Sequence, residues 1–415
     1  MASLLARPAE VIVPARLGRS FRWLLAATLI NNTGDGIVLA AGPLLVASQT
    51  SDPFLVSMAV LSGYLPTLLF GVLGGAFADR FDRRRMVIVV NLCRAAALVV
   101  LVATIVSETV SIAVILVTLF VLATAETFAD SASSTFLPNL VNREDLGLAN
   151  SRMQGAFLLT NQLVAPPIGA FLFAAGVALP FATNAVCFVL GALLVSRVAL
   201  STTTDLRERS GLRSEMAEGI RWLLGNPPMR TLALTIFTFN VTFGAAWSVL
   251  VLYANKVLGV GPVGFGLLTT AVAVGGIVGI VSYGRLTRRF ALGDIMRTGL
   301  IIETLTHLSL AITTSWVVAL ATLVVFGAHA FVWGTTSEVV RQRAVPDEVL
   351  GRVTGVYRVA NIGGLVIGTV IGGLLARAYG ITAPFWFGFI GSALLVAVLW
   401  PHFDNIVHAG QGSGG

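Results

Sequence analysis

The sequence predicts an all-α polytopic membrane protein: twelve transmembrane helices arranged as two pseudo-symmetric six-helix bundles. Three observations lead there. Apolar runs of roughly 20 residues recur from Phe21 to Trp400, each long enough to cross a hydrocarbon core of about 30 Å. Only 11% of the 415 residues are charged, while 56% are hydrophobic; soluble domains carry roughly 25% charge. The second half also repeats the pattern of the first. A membrane β-barrel is excluded, because the runs do not alternate polar with apolar residues.

Taken in order, the predicted helices are 20–46, 54–78, 86–107, 109–133, 146–175, 180–200, 230–254, 262–285, 293–313, 315–339, 350–378 and 383–401. The segment before the first holds Pro8, Pro14 and several charges, so no cleavable signal peptide is expected. The cations alternate from one connection to the next. One set carries Arg7, Arg16, Arg19 and Arg22, then Arg80 with Arg83 to Arg85, Arg143, then Arg207, Arg209, Arg213 and Arg221, then Arg285, Arg288 and Arg289, then Arg341 and Arg343. The opposite set offers Lys256 and Arg377. The positive-inside rule therefore places both termini in the cytoplasm. The arginine-rich, nearly lysine-free cation set points to a GC-rich bacterial genome, and the expected location is the bacterial cytoplasmic membrane. A net charge of +7 dispersed over helix ends is no nucleic-acid surface. Cys93 and Cys187 are isolated in apolar helices and read as packing residues.

A shift of 204 residues superposes Gly71, Gly75, Arg84 and Arg85 on Gly275, Gly279, Arg288 and Arg289. It also superposes Gly169, Gly176, Pro180 and Phe181 on Gly373, Gly380, Pro384 and Phe385. A shift of 208 pairs Arg22, Asn32 and Gly36 with Arg230, Asn240 and Gly244. This is a parallel six-plus-six repeat, and it implies a substrate site between the halves near mid-membrane. The predicted organisation is an N-terminal bundle over 1–200, a linker over 201–228 and a C-terminal bundle with a short tail over 229–415. Within the linker, Leu212, Met216, Ile220 and Leu223 recur at helical spacing, which predicts an amphipathic surface helix.

The junction Gly75-x-x-x-Asp79-Arg80-x-x-Arg83-Arg84 resembles the signature between the second and third helices of the major facilitator superfamily. Asp82 stands where that family usually has glycine. Gly34–Val46, Leu137–Val141 and Arg352–Arg358 are similar to a subgroup of bacterial drug:proton antiporters and exporters of macrolides and siderophores. In the fifth helix, Pro166 and Gly169 match part of that family's antiporter motif, and Arg152 and Asn161 stand in place of its earlier glycines. The resemblance implies the major facilitator fold and a gating latch built from Gly75, Asp79, Arg80, Arg83 and Asp130. In it, Asp79 faces the start of the eleventh helix near Arg352 and Arg83 pairs with Asp130. It also implies that the first, fourth, seventh and tenth helices line the central cavity.

Ionisable groups at membrane depth are costly, so each is a candidate functional site. Asp35, mid-way along the first helix in Asn31–Gly36, is the leading proton-coupling candidate, with the alternative of a structural carboxylate bonded to Asn31 or Asn32. Glu126 on the fourth helix and His329 on the tenth are further proton-coupling candidates, His329 because imidazole exchanges protons near neutral pH. Glu303 and His307, i,i+4 on the ninth helix, read as an internal packing pair. Arg94 and Arg297 read as snorkelling cations near helix ends. Substrate-contact candidates are Asn31, Asn32 and Asn240 for hydrogen bonding, and Phe243, Trp247 and Trp333 for stacking.

The expected function is secondary active transport, with proton-coupled efflux of a small amphipathic compound by a monomer. Protons and lipid are its other partners, and the proton gradient replaces any cofactor or metal. No Walker-type run suggests direct use of ATP, and no enzymatic site is expected. A metabolite importer of the same fold and a non-transporting receptor remain the alternatives.

Overall fold

The computed structural model describes residues 14–78, 82–133, 136–199 and 212–400. Among these, ten helices are long and apolar enough to span a membrane, and two shorter apolar helices complete a set of twelve. We number them α1 Gly18–Gln49, α2 Pro53–Ala78, α3 Arg83–Val106, α4 Ile112–Ser133, α5 Leu146–Ala175, α6 Leu179–Val195, α7 Pro227–Trp247, α8 Gly261–Arg289, α9 Leu292–Ile312, α10 Trp316–Ala344, α11 Asp347–Tyr379 and α12 Ala383–Leu399. A short helix, Leu250–Lys256, extends α7. The twelve helices follow the predicted order, each overlapping its predicted span.

Local chemistry sets the helix ends. Asp82, the departure from the family signature, caps α3: its side chain accepts a hydrogen bond from the Arg85 amide at 2.9 Å. Asn226 caps α7 in the same way through the Met229 amide. α5 is not uniform. It widens into a π-helical turn over Leu158–Val164, where Asn161 and Gln162 bond side chain to side chain; π turns of this kind cluster at functional positions.

The chain divides into two compact units. One is Met1–Gln49 with Leu65–Leu206, and the other is Thr50–Tyr64 with Arg207–Gly415. In the first, α1 packs on α4, α5 and α6, and α3 packs on α4 and α6. In the second, α7 packs on α10, α11 and α12, and α9 packs on α10 and α12. These pairings recur between corresponding helices of the two units, and among the described residues the second adds a close pairing of α8 with α10.

Helices embedded in lipid gain little from burying apolar surface against one another, so close packing of small residues holds them together. α8 and α10 meet backbone to backbone. A Cβ on Gly275 would lie 1.9 Å from the Val324 carbonyl, and one on Gly327 would lie 2.0 Å from the Val272 carbonyl. The predicted equivalent, Gly71, behaves differently: among the described residues, only its own helix's Thr67 lies within 4 Å of its Cβ position. The repeat thus preserves the glycine without preserving the contact. Outward faces remain apolar, as at Val99, Val106, Leu193, Val281 and Leu394.

The linker helix spans Leu212–Gly225 and packs on α7 and α11. It buries Leu223 and brings Gly219 against the Arg352 carbonyl. Glu218 of this helix forms an ion pair with Arg352.

Candidate functional site

Among the described residues, each unit holds a cluster of ionisable side chains within its spanning helices. In the first unit, Arg94 projects from the middle of α3. The helix begins at Arg83, three residues before the predicted start, which sets Arg94 nearly one turn, about 4.5 Å, further from the helix end. Its side chain is 4% exposed. It does not snorkel: the guanidinium bonds Asp35 of α1 and lies 3.5 Å from Glu126 of α4. Its carbon centre stands 3.9 Å above the Phe188 ring of α6, a cation–π contact that shields one face. Asp35 is therefore not isolated in an apolar pocket. Neither Asn31 nor Asn32 is its partner. A buried carboxylate must be paired, and Arg94 supplies the pair. Glu126 is 41% exposed and Asp35 14%, so Glu126 is the cluster's open edge. Asp130, one turn on from Glu126, is within electrostatic reach of Asp35.

The asparagines serve the interior of their bundles. Asn31 turns its amide oxygen against Gly191 of α6, and Asn184 of α6 turns its own against Gly34 of α1, a reciprocal exchange that brings the two helices together. Asn32 donates to the Thr28 carbonyl at 2.8 Å and Asn240 to the Ile236 carbonyl at 2.7 Å, each within its own helix. Asn240 is buried against Gly364 of α11. Asn240 is buried, whereas Asn31 and Asn32 remain half-buried.

In the second unit the aromatic candidates come together. Phe239, Phe243 and Trp247 recur every four residues along α7 and stack in sequence, at 6.4 and 5.2 Å between ring centroids. From α10, Trp333 lies parallel to Phe239 at 5.9 Å and Phe326 parallel to Phe243 at 5.4 Å. His329 stands edge-on to Phe239 and Phe326. A cleft beside this stack is lined by Trp247, Phe243, Phe326, Phe385, Thr306 and His307. The lining of the cleft is apolar and dominated by flat rings.

His329 is not a lone histidine. Its Nε2 is 3.1 Å from Glu303 Oε2, and His307 Nε2 is 2.9 Å from Glu303 Oε1. Glu303 is fully buried. Sequence spacing exposes the Glu303–His307 pair; the third member arrives from another helix and has no signal in local spacing.

The latch is only partly visible. Asp79 and Arg80 lie outside the described residues, and Gly75 is placed only as part of α2. Arg83 is the first residue of α3, and Asp130 is in the last turn of α4. Arg84 donates to the Ser196 carbonyl at the end of α6, where a cation offsets the helix dipole. Among the described residues, no group of three or more histidine, cysteine or acidic side chains is arranged to hold a metal ion.

A family model described as transmembrane secretion effector matches residues 12–408. The chain belongs to this family of major facilitator transporters. It is 27% identical over 380 residues to the multidrug efflux pump Tap of Mycolicibacterium fortuitum, covering 87% of this chain and 90% of that one. It is 26% identical over 394 residues to the enterobactin exporter EntS of Shigella boydii, covering 92% and 90%. The fold is similar to that of the nucleoside transporter NupG, with a TM-score of 0.72 and 13% identity over 94% of this chain and 99% of that one. It is also similar to a bacterial homologue of the iron transporter ferroportin in its inward-facing state, with a TM-score of 0.73 and 20% identity over 93% and 98%. As a member of the transmembrane secretion effector family, the chain is a multi-pass membrane transporter of small molecules. It is similar to the drug and siderophore exporters that the sequence motifs indicated.

Proposed function

We propose that this chain exports a small amphipathic compound in exchange for protons, by alternating access, as a monomer in a bacterial cytoplasmic membrane with both termini inside. The proton gradient is its energy source, without a cofactor. The observation that carries this reading is the Arg94–Asp35–Glu126 cluster. Arginine stays charged under all relevant conditions, so the labile charges are the two carboxylates. A proton bound at Asp35 removes one negative charge and leaves Arg94 to Glu126. Loss of that proton restores the pair and drives the buried guanidinium back toward Asp35. A cationic group on the transported compound competes with Arg94 for the open edge at Glu126, so compound and proton exclude each other, as exchange requires. The efflux activity named for Tap and the export named for EntS support the outward direction.

Inside-out vesicles containing the chain test this. Ethidium uptake into the lumen should follow an imposed proton gradient, collapse with a protonophore, and fall at least tenfold in Asp35→Asn. Ethidium movement that ignores the gradient, equal in wild type and Asp35→Asn, contradicts the proposal.

A further inference from the structure

The second buried cluster is a device that the export cycle described above does not use. We propose that Glu303, His307 and His329 form a second proton-binding centre, which takes up one proton beside the aromatic stack. The inference rests on the exporter reading only for the use made of that proton.

The argument begins with charge. Glu303 is 0% exposed and its two carboxylate oxygens each meet one imidazole Nε2. An ionised carboxylate at this depth needs a compensating charge. Helix by helix, none but the histidines is close among the described residues. α12 carries no ionisable side chain, and the only one on α7 is Arg230, near its start. Those of α8 are Tyr283, Arg285, Arg288 and Arg289, in its last two turns. Beyond His329, α10 offers Glu338, Arg341 and Arg343, of which the nearest in sequence is nine residues on, about 13 Å along the helix. On α9 itself, Arg297 lies six residues away, about 9 Å along the axis, and pairs with Asp294. With both imidazoles neutral, the cluster carries one net negative charge. One added proton makes it neutral.

Hydrogen placement then gives the proton a mechanical consequence. An Nε2 facing an ionised carboxylate oxygen must donate, so a neutral ring keeps its hydrogen there and leaves Nδ1 bare. Both Nδ1 atoms are buried without a hydrogen-bond partner. That of His307 sits over Gly388 of α12, and that of His329 over Gly299 of α9. A proton added to either ring creates an Nδ1–H. A proton added to Glu303 gives a carboxyl O–H that donates to one Nε2, which transfers the hydrogen of that ring to Nδ1. In each case one Nδ1–H appears where no acceptor stands, so uptake turns a ring. His307 lines the cleft. His329 touches Phe239 and Phe326, so its movement disturbs the aromatic stack. Proton occupancy and cleft shape are thereby tied.

The chain has four histidines, so imidazole nitrogen NMR is practicable on the full-length protein in lipid nanodiscs. His402→Ala and His408→Ala leave only the two signals of interest. The expected result is one shared protonation step in both signals, and loss of that shared step in Glu303→Gln. Independent titration of the two rings, no titration from about pH 4 to 9, or an unaltered shared step in Glu303→Gln overturns the proposal. Should Glu303→Gln fail to fold, His307→Gln replaces it: the His329 midpoint should then move by more than about one pH unit, and an unmoved midpoint overturns the centre. Asp35→Asn separates the two proposals. It should abolish gradient-driven export while leaving both histidine signals as they are. Histidine signals that persist alongside full export in Asp35→Asn sink the exchange mechanism at Asp35 and leave this centre standing.

Discussion

In the first unit, an arginine is held between two carboxylates; in the second, at the corresponding corner of α9 and α10, a carboxylate is held between two imidazoles. The helices correspond, but the residues do not. The 204-residue shift sets Arg94 against Thr298, Glu126 against Ala330 and Glu303 against Val99, and the 208-residue shift sets Asp35 against Phe243. The repeat therefore conserves the packing of helices while each half builds its own electrostatics. Each cluster also fixes a different partner. In the first, the cation is permanent and the carboxylates carry the exchangeable proton. In the second, no permanent cation is near, and the proton itself supplies the neutralising charge.

This comparison ranks the expected effects of substitution. Arg94→Leu should be the most damaging, because it leaves Asp35 charged and unpaired inside the bundle; removing one partner of a buried pair costs about 3–5 kcal/mol. Thermal melting in detergent should show the loss, and Arg94→Lys should recover part of it, since lysine restores charge without the planar fork. Glu303→Gln should cost less, about 1–3 kcal/mol, because the uncharged imidazoles that remain are cheaper to leave imperfectly bonded. A larger loss from Glu303→Gln than from Arg94→Leu would break the comparison. Gly327→Ala drives a methyl into the Val272 carbonyl of α8. Overpacking of this kind costs about 1–3 kcal/mol, and crosslinking between α8 and α10 should report their separation. Glu218→Ala breaks a partly exposed pair with Arg352 and should change melting by about 1 kcal/mol or less.

Most of the fold could be read before the structure, because membrane helices announce themselves by length and composition. Each of the twelve helices overlaps its predicted span, but Arg83 to Arg85, read as part of a connection, form the first turn of α3. The site was less legible. Asp35 and Glu126 are conspicuous as charges in apolar runs, but their partner was misjudged because three residues at the start of α3 decide how deep Arg94 lies. Asn31 and Asn240 look like cavity residues in a linear text, yet the glycines opposite them, Gly191 and Gly364, are what turn them inward. His329 and Glu303 are 26 residues apart, and only the packing of α9 on α10 joins them. Helical periodicity reports neighbours on one helix. It is silent about which faces meet across two.

The central claim is that Asp35, released and recaptured by Arg94, carries the exchanged proton. The most direct test is to reconstitute the chain in proteoliposomes with a trapped pH indicator and add ethidium on the side from which it is exported. Wild type should move protons against the compound in fixed proportion, with the proton signal absent in Asp35→Asn while ethidium still binds. Proton movement of undiminished size in Asp35→Asn, coupled to ethidium as in wild type, would contradict the account.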